Sequence, residues 1–171
     1  MGKRAFPTRD TIERHLDFCP SKGTFLWGRP TGHRTKPGSV AGCQTTNGYL
    51  WITIFGQRFS AHQLAWIVSR GEPPPAVIDH INGDRSDNRP ENLRAATPSQ
   101  NAANAKAHSD NSCGKKGVHR HYDGRWRAQI MVDGRRIHLG CFNDPDEAHT
   151  AYRRAAEQHF GEFSNAGGYH R

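Results

Sequence analysis

Hydrophobic and polar residues alternate most regularly in the last third of the chain. The alternating segments at residues 117–122, 126–132 and 135–142 are separated by Asp-Gly pairs at 123–124 and 133–134. Alternation with a period of two is typical of half-buried strands, and Asp-Gly favours tight hairpin turns. The pattern therefore predicts a three-stranded antiparallel sheet.

An amphipathic helix is predicted after the third strand. Asp144 can cap its first turn, Pro145 suits the first helical position, and Glu147 can complete a capping box. Gly161 marks its end. One face of this helix carries Ala148, Ala151, Tyr152, Ala155 and His159. We expect that face to pack on the sheet.

The first half of the chain predicts shorter elements. A helix is predicted over residues 9–18, with Thr8 as its cap, and a strand over residues 23–27. The Asn-Gly pair at 47–48 predicts a hairpin turn before the strand-forming residues 49–55.

A second helix is predicted between Ser60, a potential cap, and Gly71, a potential stop. Its apolar residues Leu64, Ile67 and Val68 share one side. Because all these elements are short and only 34% of the chain is hydrophobic, several small cores are expected rather than one large core.

The composition excludes a membrane protein and argues against a secreted one. Apolar runs are too short to span a bilayer, and no apolar stretch follows the basic N-terminal residues. The four cysteines form no CxxC pair, so neither a zinc ribbon nor a redox motif is indicated. With 24 Lys and Arg against 16 Asp and Glu, the net charge is +8, which suggests nucleic acid as the partner.

Positive charge is concentrated toward both ends of the chain. Residues 1–60 hold nine positive and three negative side chains. Residues 61–112 hold five positive and six negative ones, and residues 113–171 hold ten positive and seven negative ones. Two basic ends around a near-neutral middle fit phosphate contacts on either side of a metal site, although uneven charge also occurs in unrelated proteins. A basic loop in the first segment either contacts DNA or is simply exposed. Its cations are Arg29, Arg34 and Lys36.

The candidate chemistry lies in the middle of the chain. A short apolar strand ends at Asp79 and His80, and a polar loop follows it. Thr97 and Gln100 can form the capping box of the next helix, and Asn101 lies in its first turns.

This arrangement resembles the HNH nuclease motif in the H-N-N form of phage and intron homing endonucleases. The anchors are His80, Asn92 and Asn101, twelve and then nine residues apart, directly after Asp79. The resemblance implies a ββα-metal fold in which Asp79 and Asn101 bind one Mg²⁺ or Mn²⁺ ion through hard oxygen atoms. It also implies that His80 is the general base and that Asn92 fixes the imidazole and the loop.

Asn88 is the rival for the central position of the motif. Nine residues beyond Asn88 lies Thr97, a poor ligand, whereas Asn101 lies nine residues beyond Asn92, so Asn92 is preferred. Each Asp or Asn of the loop, taken singly, is more often a turn or cap residue, but the joint pattern favours a nuclease site. Four further residues either contact phosphate or serve ordinary packing and solvation: His62, Arg85, Arg89 and Arg94.

A second resemblance is carried by residues 116–122, 124–130, 135–142 and 146–156. Together they are similar to an AP2 domain over about residues 114–165, which implies a sheet lying in the DNA major groove with the helix behind it. Strand alternation places the polar residues on the outer face. The candidate DNA contacts are Lys116, His119, His121, Tyr122, Arg127, Gln129, Arg136 and His138. Plant AP2 domains carry more Arg and Trp on this face, so their target sequence is not transferred to this chain.

These observations predict an α+β protein in four parts. Residues 1–60 form a basic β-rich region, residues 61–108 an HNH nuclease core of ββα-metal type, and residues 109–113 a linker. Residues 114–165 form an AP2-like unit with a three-stranded antiparallel sheet and one helix.

The predicted function is metal-dependent, homing-type cleavage of double-stranded DNA with a single divalent cation. Nicking and double-strand cleavage both remain open. The alternatives are a non-catalytic DNA-binding protein with a degenerate nuclease core and, with less support, an RNA-processing nuclease. We expect a monomer, with a dimer as the alternative, that is encoded by a phage and acts in the cytoplasm of a bacterial host.

Overall fold

The computed structural model describes residues 5–29, 35–107, 111 and 113–165. Arg34 and most of the predicted linker at residues 109–113 lie outside this described part. The chain forms two compact units, Met1–Ala95 and Ala96–Arg171. Both combine helices with small antiparallel sheets, in agreement with the predicted α+β class. Among the described helices, none is both long and apolar enough to cross a bilayer.

The first unit is built from short elements around three small sheets. In chain order these are α1 (Arg9–Glu13), β1 (Leu16–Cys19), β2 (Thr24–Trp27), β3 (Cys43–Gln44), β4 (Leu50–Ile54), β5 (Gln57–Ser60), α2 (Ala61–Arg70), β6 (Ile78–His80) and β7 (Leu93–Ala95). All pairings are antiparallel: β1 with β2, β3-β4-β5 in that order, and β6 with β7. A single turn of 3₁₀ helix, Pro90–Asn92, leads directly into β7.

The predicted helix over residues 9–18 is wrong in its second half. Thr8 caps α1 as expected, because its hydroxyl accepts a hydrogen bond from the Thr11 amide, but α1 ends at Glu13. The following residues form β1, in which Leu16 lies opposite Trp27 and is buried. Alternating apolar residues fit a strand as well as a helix end, and pairing with β2 decides between them.

Helix α2 supplies much of the core of the first unit. Leu64 and Ala65 are fully buried and pack in one cluster with Ile52 and Phe25. Gly71 ends the helix in the left-handed region at φ 71°, as its position in the sequence predicts.

The second unit places helices against a three-stranded sheet. In chain order its elements are α3 (Pro98–Asn104), β8 (Val118–Arg120), β9 (Trp126–Val132), β10 (Arg135–Phe142) and α4 (Pro145–Phe160). The sheet is antiparallel in the order β10-β9-β8, and the Asp133-Gly134 turn has both residues at positive φ, as a type I′ turn requires. The predicted three-stranded sheet with a helix after it is therefore confirmed.

Two details of α4 differ from the sequence prediction. Asp144 caps the helix by accepting from the Asp146 amide, and no capping box with Glu147 forms. His159 is exposed, and Ala156 and Phe160 take the buried positions instead. The buried stripe of a long helix drifts around its axis, so a residue near its end is the one most easily misplaced.

The two compact units do not coincide with the four predicted parts of the chain. The predicted nuclease core extended to residue 108, whereas the first unit ends at Ala95 and α3 belongs to the second unit. Ala103 of α3 lies in one apolar cluster with Ile130 and Phe163, which accounts for this placement. The second unit therefore has a short helix in addition to the one expected for an AP2-like domain.

Candidate active site

The β6–β7 hairpin positions the central residues of the candidate site. Asp79 lies opposite Arg94 and His80 opposite Leu93, and Asp79 and His80 are both buried. Burying a carboxylate and an imidazole is costly unless each finds a partner. The loop between the two strands provides the partner of His80, and β7 provides that of Asp79.

The imidazole of His80 is held by Asn88, which is fully buried. His80 Nε2 lies 3.3 Å from Asn88 Oδ1, and Asn88 Nδ2 donates to the carbonyl of Ser86 at 3.0 Å. Because Asn88 Nδ2 is already donating, its Oδ1 accepts the proton of Nε2, so the lone pair of the neutral ring lies on Nδ1. Burial lowers the pKa of His80, and the bond to Asn88 partly offsets this shift. The ring is thus neutral at pH 7 and able to accept a proton.

Asn92 orders the loop. Its Oδ1 accepts from the Asn82 amide at 3.0 Å, and its Nδ2 donates to Asn82 Oδ1 at 3.0 Å and to the Asp87 carbonyl at 2.8 Å. The resemblance implied that Asn92 fixes both the loop and the imidazole of His80. In the structure, Asn92 holds the loop and Asn88 makes the hydrogen bond to the ring, so the two rivals act together.

The acidic residues of the loop form hydrogen bonds and ion pairs within the loop itself. Asp84 accepts from the amide and hydroxyl of Ser86, and these bonds lower the pKa of its carboxyl group. Asp87 forms a bidentate pair with Arg89, which lowers the pKa of Asp87. Both carboxylates therefore stabilise the loop from within.

Asp79 is the candidate metal ligand of the first unit, and its carboxylate has a cationic partner. Arg94 Nε donates to Asp79 Oδ2 at 2.9 Å, and Arg94 Nη2 lies 2.9 Å from the same atom. A carboxylate oxygen is a suitable ligand for Mg²⁺ or Mn²⁺, so the donor chemistry fits, with the guanidinium as a competitor at Oδ2. Asn101, the second predicted ligand, lies on α3 in the other unit. No cluster of three His, Cys, Asp or Glu suited to a metal occurs in the described part of the chain.

His62 is the site residue whose position was not evident from the sequence. It lies in the first turn of α2, and its ring meets the His80 ring edge-on, with centroids 5.3 Å apart. Tyr49 lies against both imidazoles, at 5.4 Å from His62 and 6.0 Å from His80. Burial lowers the pKa of His62 to about 4, so this ring is also neutral. The signal in the sequence is a histidine two residues after the predicted helix cap, Ser60.

The outer sheet face of the second unit gathers most of the predicted DNA contacts. Cross-strand pairs place His119 beside Arg127, Gln129 beside His138 and Met131 beside Arg136. Residues directly opposite each other in neighbouring strands share one face. The exposed members are His119, Tyr122, Arg136 and His138, and the half-buried ones are His121, Arg127 and Gln129. His121 Nδ1 also lies 2.8 Å from Asp123 Oδ1.

Lys116 does not lie on this face as predicted. Its Nζ donates to the carbonyls of Ala102, at 3.1 Å, and Ala103, at 2.5 Å, and to that of Ala105. These carbonyls lie at the C-terminal end of α3, where a positive charge is favourable, and that of Ala103 also accepts from the Asn165 amide at 3.2 Å. Burial lowers the pKa of Lys116 to about 8. In the structure the ammonium group anchors α3, and a contact of Lys116 with DNA stays a prediction.

Comparison with known proteins bears on the site directly. Residues 59–103 match the family model described as HNH endonuclease. This match contains Asp79, His80, Asn88, Asn92 and Asn101. The segment with the buried hairpin is therefore similar to an HNH endonuclease domain, and it points to a nuclease.

Three related proteins extend this result. An uncharacterized HNH endonuclease of Acanthamoeba polyphaga mimivirus is 34% identical over 92 residues, which are 54% of this chain and 47% of that protein. Protein 3.8 of Escherichia phage T7 is 29% identical over 105 residues, covering 60% of this chain and 86% of that protein. An AP2/ERF and B3 domain-containing transcription factor of Arabidopsis thaliana is 39% identical over 72 residues, or 42% and 20% of the two chains.

The matched regions span about half of the mimivirus protein and a fifth of the plant protein. The resemblance to AP2 domains thus has partial support, from one plant relative. No solved structure gives a significant match to the chain.

Proposed function

We propose that this protein is a metal-dependent DNA endonuclease in which His80 is the general base. The observation that carries the proposal is the buried His80, adjacent to Asp79 at the end of β6, with its Nε2 3.3 Å from Asn88 Oδ1. Hydrolysis of a phosphodiester requires a base for the attacking water, neutralisation of phosphate charge, and protonation of the leaving oxygen. The hairpin supplies the base, and the similarity to HNH endonucleases supports this use of it.

In this proposal the residues of the hairpin have separate tasks. His80 Nδ1 takes a proton from water as the new bond to phosphorus forms and the bond to the leaving oxygen breaks. Asn88 keeps the ring in the tautomer that allows this step, and Asn92 holds the loop that carries Asn88. Fixed geometry of this kind lowers the barrier because the base needs no reorientation.

The proposed cofactor is one Mg²⁺ or Mn²⁺ ion. When bound, it supplies positive charge for the phosphate and the leaving oxygen. Asp79 is the candidate ligand in the first unit, and the resemblance to HNH enzymes adds Asn101. Arg94 would have to release part of its contact with Asp79 Oδ2 for a cation to bind there.

Recognition of duplex DNA is proposed for the second unit. The outer face of β8, β9 and β10 presents His119, Arg136 and His138 to solvent, and such side chains can contact phosphates and base edges. The partial similarity to a plant AP2/ERF protein supports this assignment. The protein would then act as a targeted endonuclease of the homing type.

The contact between Arg94 and Asp79 favours the alternative of a DNA-binding protein without catalysis. An ion pair with both side chains largely buried, at 13% and 4% exposure, can stabilise a hairpin without any metal. Catalysis and binding give different results in one assay, so the alternative is testable.

The test is incubation of supercoiled plasmid with the full chain in the presence of Mg²⁺, Mn²⁺ or EDTA. We expect conversion to nicked or linear DNA with either metal, none with EDTA, and at least a hundredfold lower rate for His80→Ala, since a general base contributes about 10²–10⁴-fold. His159→Ala is the matched control, because His159 is an exposed residue of α4. Equal cleavage by wild type and His80→Ala, or binding without any cleavage, would contradict the proposal.

A further inference from the structure

The arginines of the β6–β7 hairpin differ in their ion-pair partners. Arg89 is paired with Asp87 at 2.7 Å and Glu91 at 3.4 Å, and Arg94 is paired with Asp79. Arg85 is exposed and has no carboxylate within ion-pair distance among the described residues. Arg85 is therefore the cation of this hairpin whose charge is not neutralised by a neighbour.

Arg85 is nevertheless held in place. Its Nη1 donates to the carbonyl of Asn47 at 3.0 Å, and its guanidinium carbon lies 4.9 Å from the centre of the Tyr49 ring. The stem of Arg85 passes over Gly48, where an added Cβ would lie 3.7 Å from Arg85 Cβ. The turn before β4 thus supports one edge and one face of the guanidinium. Its other N–H groups remain available to a ligand.

The support for Arg85 is shared with the candidate base. The same Tyr49 ring that lies under the guanidinium is 6.0 Å from the His80 ring and 5.4 Å from the His62 ring. A single aromatic side chain therefore links a fixed, unneutralised guanidinium to the imidazole. A planar guanidinium is well suited to bind a phosphate through two parallel hydrogen bonds.

We propose that Arg85, supported by Tyr49 and Asn47, binds a backbone phosphate of DNA close to the bond on which His80 acts. The location relative to the reacting bond rests on the proposed nuclease function, whereas phosphate binding by Arg85 does not. The proposal also gives the N-terminal β-rich region a task, because its turn at residues 45–49 forms the support.

The first measurement is the salt dependence of binding to a duplex oligonucleotide, in EDTA so that no cleavage occurs. Loss of one phosphate contact lowers the slope of log K against log salt by about 0.9, so we expect this decrease for Arg85→Ala together with about tenfold weaker affinity. Arg85→Lys keeps the charge and is expected to retain the slope. Arg9→Ala is the matched control, because Arg9 loses the same charge but is paired with Glu13.

The outcomes are distinct. An unchanged slope for Arg85→Ala, an equal decrease for Arg9→Ala, or failure of Arg85→Lys to retain the slope would overturn phosphate binding by Arg85. Circular dichroism of each variant checks that the fold is kept. These results do not depend on cleavage, so they stand even if the wild-type protein fails to cut plasmid.

The second measurement is plasmid cleavage, which tests the location of the phosphate. We expect Arg85→Ala to lower kcat/KM by about tenfold or more, whereas Arg9→Ala leaves it unchanged. If wild type cleaves DNA and Arg85→Ala cleaves it equally well, the phosphate bound by Arg85 does not lie near the reacting bond. In that case the nuclease assignment stands and the proposed location of the phosphate is overturned.

Discussion

In the first unit, the polar residues of the candidate site are buried, whereas in the second unit the candidate DNA contacts are exposed or half-buried. Asp79, His80, Asn88 and Asn92 are between 0 and 5% exposed. His80 contacts Asn88, Asn92 bonds to the backbone of the β6–β7 loop, and Asp79 pairs with Arg94 of β7. Among the candidate DNA contacts of the second unit, by contrast, Tyr122, which lies in the turn after β8, is 95% exposed. The difference agrees with the roles proposed for the two regions. A proton acceptor needs fixed geometry, whereas a face that binds DNA must be accessible to it.

This difference has energetic consequences. A buried polar group without its partner costs about 1–3 kcal/mol, so the loop of the first unit tolerates few changes. Most exposed substitutions change stability by no more than about 0.5 kcal/mol, so the sheet face of the second unit tolerates many. The following experiments test this contrast.

The largest loss of stability is expected at Gly23, where the β1–β2 turn packs against the backbone of the β6–β7 loop. Gly23 has φ +64°, and an added Cβ would lie 2.4 Å from the amide nitrogen of Arg89 and 2.6 Å from the carbonyl carbon of Asn88. Since backbone atoms cannot move aside as a flexible side chain can, we expect Gly23→Ala to lower the free energy of unfolding by about 3–5 kcal/mol. Urea denaturation measures this loss.

Gly38→Ala is the matched control for Gly23→Ala. Gly38 has a similar φ of +78°, but an added Cβ would meet nothing within 4 Å. The control therefore isolates the cost of the left-handed backbone, about 1–2 kcal/mol. Equal denaturation midpoints for the two variants would show that the loop is not held by the turn.

The next effect concerns the pH dependence of stability and the half-buried His62, which lies beside the buried His80. The pKa of His62 is about 4 in the folded state, below its ordinary value of 6.5, so the unfolded chain binds its proton more readily. The stability due to neutral His62 is therefore complete above pH 6.5 and is lost as the pH falls toward 4. The loss is at most about 3 kcal/mol, from 1.36 kcal/mol per pKa unit.

His62→Phe keeps a ring and removes the titrating group. We expect its stability, measured by urea denaturation from pH 7 to 4, to fall less steeply than that of the wild type. His119→Phe changes an exposed histidine of β8 and is expected to leave the steepness unchanged. The same pH dependence in wild type and His62→Phe would contradict the burial of a neutral His62.

A smaller loss of stability is expected from substitution of Lys116, a half-buried cation of the second unit. Lys116→Ala removes the ammonium donor from the carbonyls at the end of α3 and should cost about 1–3 kcal/mol, without changing the salt slope of DNA binding. Its neighbour Lys115 pairs with the exposed Asp146, so Lys115→Ala is the control and should change stability little. If both variants unfold alike, Lys116 does not anchor α3.

Local signals in the sequence were enough to predict much of this architecture. Thr97 and Gln100 form the predicted capping box of α3, and β9 and β10 have the predicted bounds because tight turns separate them. Alternation also placed Ala128 and Ile130 on the buried face of the sheet. In each case the deciding residues are near neighbours in the chain, so short-range patterns suffice.

Features that depend on distant residues were not predicted. Membership of α3 in the second unit rests on Lys116 and on Asn165, whose side chain donates to the carbonyl of Asn104 at 2.9 Å. The division of tasks between Asn88 and Asn92 rests on how the loop closes in space. The motif in the sequence identified the candidate site, and the functional roles within that site stay predictions until they are measured.

The smallest effect on stability is expected from substitution of two adjacent arginines at the start of β10. The same two variants test whether the outer face of the second unit binds DNA. Arg136 lies opposite Met131 on the outer face, whereas Arg135 points to the other side of the strand. Both are exposed, so either alanine variant should change the free energy of unfolding by less than about 0.5 kcal/mol. If the outer face contacts DNA, only Arg136→Ala lowers the salt slope of binding, by about 0.9. An equal decrease for Arg135→Ala would mean that net charge, and not this face, governs the affinity of the second unit for DNA.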